Sequence, residues 1–143
     1  MLYQSKIIVF GGYTEKGYDN SFFTIDLENE RFDSQKTLGP TPLARENFVF
    51  IIVNARIWLF GGYQEGGSLD DLYSIDVFSW TWVEVKPNGP PPSKRSGSSA
   101  VRVGNRIYIF GGCDYKLNTC FSDGYYFDVE SMWWAQLPEN SPK

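Results

Sequence analysis

Apolar residues fall in short bursts along this chain, four to six long, and almost every burst alternates or ends abruptly at glycine, asparagine or proline. The clearest is Arg56 to Gly62, RIWLFGG, preceded by NFVFIIV and the small step Asn54-Ala55. Runs of that length bounded by turn residues read as strands, and two runs separated by a two-residue step read as a hairpin. Further on, the pattern predicts a third strand at about 71–76 and a fourth at about 81–86. PNGPPP at 87–92 then forbids both helix and central strand, so it reads as a linker. No stretch carries a 3.6-residue apolar period, so the expectation is a four-stranded antiparallel meander with no helix.

The same sentence is written three times. Gly11-Gly12, Gly61-Gly62 and Gly111-Gly112 stand fifty apart, and Gly39-Pro40, Arg45 and Ile25-Asp26 recur as Gly89-Pro90, Arg95 and Ile75-Asp76. Phe127-Asp128 fits after a two-residue insertion, which places the insertion, with Cys113 and Cys120, in a loop of the third copy. Six positions beyond each aspartate stands a large aromatic: Phe32, Trp82 and Trp134. A sheet with two apolar faces cannot bury both alone. Stacking such sheets around an axis covers them, which is the logic of a β-propeller.

Composition agrees with strands. Aromatics reach 17% and charged residues only 21%, with a net charge of −4. A weakly acidic chain argues against general nucleic-acid binding, no apolar run reaches membrane-spanning length, and the opening MLYQSKIIVFGG lacks the long apolar core of a signal peptide. The expected compartment is therefore the cytoplasm, with the nucleus as the variant. There is no histidine, which removes His-based catalysis and His-containing zinc sets, and no cofactor or metal is expected. Cys113 and Cys120 lie seven apart. A disulfide is one option, but reduced loop thiols are the expectation for that compartment.

The double glycines, the strand-three aromatic near Tyr73, Trp82 in strand four and a repeat of fifty residues together resemble the Kelch repeat, and PPPSKRSG is similar to repeats of the host-cell-factor and Rab-effector kind. Those repeats often carry His shortly after the Arg; Phe48 and Ser98 stand there instead. The resemblance implies an all-β chain of Kelch-type blades in a partial ring of about three: a first blade over 1–38, a second over 39–88 and a third over 89–143. In this alignment Met1 falls opposite Ile51 and Val101, so most of the first blade's first strand is missing, and Lys143 falls opposite Pro91 inside a linker. Three blades cannot close a ring. Either this is part of a longer propeller, or two copies join head to tail as a six-bladed homodimer; a fragment that dimerises when isolated is the expectation.

Repetition makes most of the conserved-looking positions structural. The glycine pairs at 11–12, 61–62 and 111–112 precede no helix that could cradle phosphate, and they permit close backbone approaches. Asp26, Asp76 and Asp128 suit Asx-type turns, and Phe32, Trp82 and Trp134 suit packing between blades. Two sets remain. Tyr13, Tyr63 and Cys113 follow the glycines, while Arg45 and Arg95 precede the first strand, and in a propeller both sets open on one end. Tyr and Arg dominate interface hot spots. Kelch-type substrate adaptors of ubiquitin ligases contact acidic peptides at matching positions, so the resemblance nominates Tyr13, Arg45, Tyr63 and Arg95, with Gln64, Ser96, Cys113 and Asp114. For the arginines a structural ion pair within the ring is the competing reading. The functional expectation is a non-catalytic platform binding a protein or peptide segment, acidic or phosphorylated because Arg pairs two-pronged with such groups. The alternative is a propeller enzyme or a sugar- or metal-binding propeller, with Glu15, Glu65 and Asp114 at a channel mouth.

Overall fold

The computed structural model describes residues 1–139, and the tail of the third blade at 140–143 lies outside them. Three four-stranded antiparallel sheets follow one another along the chain. The first holds β1 (Leu2–Tyr3), β2 (Lys6–Thr14), β3 (Gly17–Asp26) and β4 (Arg31–Ser34). The second begins with β5 (Val49–Val53) and β6 (Arg56–Phe60), adds a short hairpin of β7 (Tyr63–Gln64) and β8 (Gly67–Ser68), and finishes with β9 (Leu72–Asp76) and β10 (Trp82–Val85). The third repeats that plan with β11 (Ser99–Val103), β12 (Arg106–Phe110), the hairpin β13 (Cys113–Asp114) and β14 (Thr119–Cys120), then β15 (Gly124–Asp128) and β16 (Trp133–Gln136). Each sheet is a meander of blade type, and among the described residues there is no helix.

Local chemistry accounts for these elements. Asn54 and Ala55 both adopt positive φ, at 53° and 57°, the twist a two-residue hairpin between right-twisted strands requires. Asp76 at the end of β9 accepts the backbone N–H groups of Phe78 and Ser79 at 2.8 and 2.9 Å, turning the chain into β10. Asp26 and Asp128 hold Glu28 and Asn29, and Glu130 and Ser131, in the same way.

Two cores lie between the sheets. One joins Ile8, Phe10 and Phe22 of the first blade to Ile57, Leu59, Ile75 and Trp82 of the second. The other joins Val49, Trp58, Phe60 and Leu72 of the second blade to Ile107, Ile109, Phe127 and Trp134 of the third. Alternate residues on each central strand therefore serve opposite neighbours, which is why β6 is buried from Ile57 to Phe60. Trp82 reaches back to Phe10 at 5.1 Å between ring centroids, and Trp134 reaches back to Phe60 at 5.2 Å.

Three expectations need correction. Phe32 occupies the position of Trp82 but is 60% exposed, because among the described residues no blade packs against the face it serves. The segment at 87–92 does not only link blades: Asn88 forms a parallel bridge with Trp133 on the edge of the next sheet, as Leu38 does with Thr81. Cys113 and Cys120 are joined by a disulfide, since β13 and β14 set them directly opposite one another; the expectation of free thiols weighed compartment and not register.

Candidate functional site

The stretches after the double glycines and those before β5 and β11 meet at one end of the arc. Gly12 donates its N–H to the Arg45 carbonyl at 2.8 Å, and Gly62 donates to the Arg95 carbonyl at 3.0 Å, so the first two glycine pairs each clasp the strand entering the next blade. Gly61 has a φ of +64°, and a Cβ there would stand 2.6 Å from the Arg95 carbonyl oxygen. Any larger residue would lose both the backbone conformation and the contact.

The arginine side chains turn inward. Arg45 is fully buried: its guanidinium donates to the Gly61 carbonyl at 3.0 Å, to the Leu43 carbonyl at 2.9 Å and to both carboxylate oxygens of Asp71. Arg95 repeats this with the carbonyls of Gly111 and Ser93 and the carboxylate of Asp123, and its guanidinium lies 4.2 Å from the centre of the Phe121 ring. Four of the five N–H donors of Arg45 and all five of Arg95 are met inside the blade, so both forks are framework and not presented to a ligand. This corrects their nomination. Ser96 and Asp114 are likewise buried; Asp114 accepts the N–H of Lys116 at 3.0 Å within its own hairpin, and Cys113 is held in the disulfide. Of the eight nominated residues, Tyr13, Tyr63 and Gln64 keep side-chain surface free for a partner, and Tyr13 is 65% exposed.

Two further tyrosines join them. Tyr13 and Tyr18 face one another across the β2–β3 hairpin with ring centroids 5.0 Å apart. Tyr18 then approaches Tyr63 of the second blade at 6.2 Å, and Tyr63 approaches Tyr115 of the third at 5.9 Å. The result is a row of phenols crossing all three blades. Tyr18 and Tyr115 fall outside the fifty-residue register, so a search for periods misses them. The TEKG turn carries the usable signal, because pairing Thr14 with Gly17 forces Tyr18 opposite Tyr13.

An open cleft of about 700 Å³ lies along this row, lined by Tyr13, Lys16, Tyr18, Glu46, Tyr63 and Glu65. Partial burial, and next the Glu46 carboxylate, push the Tyr18 phenol above its ordinary value. At neutral pH it is a hydrogen-bond donor in a negatively charged setting. Among the described residues no three His, Cys, Asp or Glu side chains gather as a metal site.

The family model described as the KLHDC2/KLHL20/DRC7 Kelch-repeats domain matches residues 1–143. The chain belongs to the Kelch-repeat family. No curated protein matches it. Kelch-repeat domains are in general protein-interaction modules without catalysis, and in this Kelch chain the glycine–arginine clasps build the scaffold while the tyrosine row is what the scaffold displays.

Proposed function

We propose that this Kelch chain is a non-catalytic interaction platform that holds an extended segment of a partner protein across the tyrosine row. The observation that supports this reading is the row itself: Tyr13, Tyr18, Tyr63 and Tyr115, each within 6.2 Å of the next, on the hairpins of three consecutive blades. Tyrosine offers a large rigid contact area with a polar tip and little entropy to lose, the profile of a binding hot spot. The acidic-partner preference rested on Arg45 and Arg95; with both committed to Asp71 and Asp123, the partner's charge must be read from the cleft instead. Catalysis at Glu15, Glu65 and Asp114 is disfavoured because Asp114 is buried and engaged by its own loop. The proposed compartment is the cytoplasm or nucleus, where the Cys113–Cys120 bond would be reversible.

The test selects displayed peptides on the wild-type chain and measures their affinities against Tyr18→Ala and Tyr63→Ala by fluorescence polarisation. Selected peptides should lose about ten-fold or more on either variant, the scale of a hot-spot tyrosine. Peptides that bind both variants as tightly as wild type would place the site elsewhere.

A second copy of the chain is also proposed as a partner. The bare faces of the first and third blades carry, position for position, residues that are buried where blades meet, such as Phe32 for Trp82 and Phe110 for Phe60. Two arcs joined head to tail would cover both, and light scattering would read twice 16.4 kDa.

A further inference from the structure

We propose that the cleft along the tyrosine row takes a cationic side chain, an arginine or lysine of the bound segment; this rests on the reading of the row as a binding surface. The argument begins with unspent charge. Asp71, Asp123, Asp76 and Asp128 all face arginines within 4 Å, and Glu84 faces Lys86. Glu46 and Glu65 make neither an ion pair nor a side-chain hydrogen bond among the described residues, yet both line the cleft. Among the described residues Lys16 is the one cation lining it, so carboxylates outnumber ammonium groups there.

Ring geometry adds to this. Tyr13 and Tyr18 meet at 71° and Tyr18 and Tyr63 at 60°, so the rings are walls at an angle and not a flat stack. A cation over the outward face of one of these rings can meet that π face and the carboxylate of Glu46 or Glu65 at once. An anion would meet the reverse: two carboxylates and the electron-rich faces of the rings. A planar guanidinium fits best, because it can stack on a ring while its N–H groups reach a carboxylate.

The experiment titrates isotope-labelled full chain with three capped amino acids and follows backbone amide shifts: N-acetyl-arginine methylamide, its neutral isostere N-acetyl-citrulline methylamide, and N-acetyl-glutamate methylamide. The arginine probe should move the amides of Tyr18, Glu46 and Tyr63, with an affinity about five-fold or more above citrulline. Glu46→Gln should weaken it roughly two- to five-fold, and Lys16→Gln should strengthen it by a similar factor. Both substitutions lie at the surface and leave the cores untouched, so loss of folding does not confuse the outcome. If citrulline or glutamate moves the same amides as strongly, the row binds but the cationic preference is overturned. If no probe moves them, the preference and the binding surface fall together.

Discussion

Trp82 and Phe32 hold the same place in consecutive blades, six residues after Asp76 and Asp26, yet one is 1% exposed and the other 60%. The whole face follows. Ile57, Leu59 and Ile75 of the second blade are completely buried, while their counterparts Ile7, Val9 and Ile25 in the first are half-buried. The difference lies in the neighbour and not in the sheet. A repeat position in this fold specifies a contact with the preceding blade, and where no blade packs against it among the described residues the same chemistry is left wet.

The sharpest way to break the comparison is to truncate both rings. Trp82→Ala should cost about 3–5 kcal/mol in urea denaturation, whereas Phe32→Ala should stay within roughly 0.5 kcal/mol for an isolated chain. If a second copy covers the first blade, Phe32→Asp should also return the mass in light scattering from twice 16.4 kDa to 16.4 kDa. A large loss from Phe32→Ala with no change in mass would mean that the first blade's bare face is packed in some other way.

The next effect is smaller and concerns the buried forks. Arg45→Met removes the cation and leaves Asp71, whose side chain is 23% exposed, partly able to find water. The expected loss is therefore somewhat below the roughly 3–5 kcal/mol of a wholly buried pair, and Arg45→Lys should recover only part of it because an ammonium cannot span both carboxylate oxygens. Unchanged stability in Arg45→Met would contradict a stabilising role for the buried fork on Asp71.

The smallest effect is titration. Backbone N–H groups, those of Asn29, Ser79 and Ser131 foremost, hold Asp26, Asp76 and Asp128 below the usual carboxylate range. A carboxylate whose folded value is depressed contributes stability that is complete above the unfolded value, about 4, and is lost as pH falls through the folded value. Urea midpoints should thus hold steady down to about pH 5 and decline below about pH 4. Replacing the three aspartates together by Asn should flatten that decline; an unaltered slope would assign it to other carboxylates.

Strands were legible because β6 and β12 carry unbroken apolar runs and because fifty-residue spacing repeats each error-correcting cue. The blade order and the four-strand plan follow from those alone. What repetition could not separate was scaffold from display. Arg45 and Tyr63 recur with equal regularity, but the acid that claims Arg45 stands 26 residues downstream, and for Arg95 it stands 28 downstream, across the insertion. Sequence spacing gives no hint that a guanidinium will turn inward to meet it. The disulfide was hidden for a related reason, since only the register of a four-residue ladder puts Cys113 against Cys120. Tyr18 and Tyr115 belong to hairpins that vary between copies, and their meeting with Tyr63 is a fact of how blades lean together.

The edge bridges carry a mechanical consequence. Leu38 bonds to Trp80 and Trp82 by its own N–H and carbonyl, and Asn88 bonds to Met132 and Trp134 likewise, so each connection between blades is pinned to the next sheet by two main-chain bonds running alongside it. A pull along the chain would load those two bonds together in shear, with the glycine clasp on Arg45 or Arg95 holding the far end of the same connection. Under tension the arc should therefore yield joint by joint, each rupture releasing one connector while the sheets behind it stay intact.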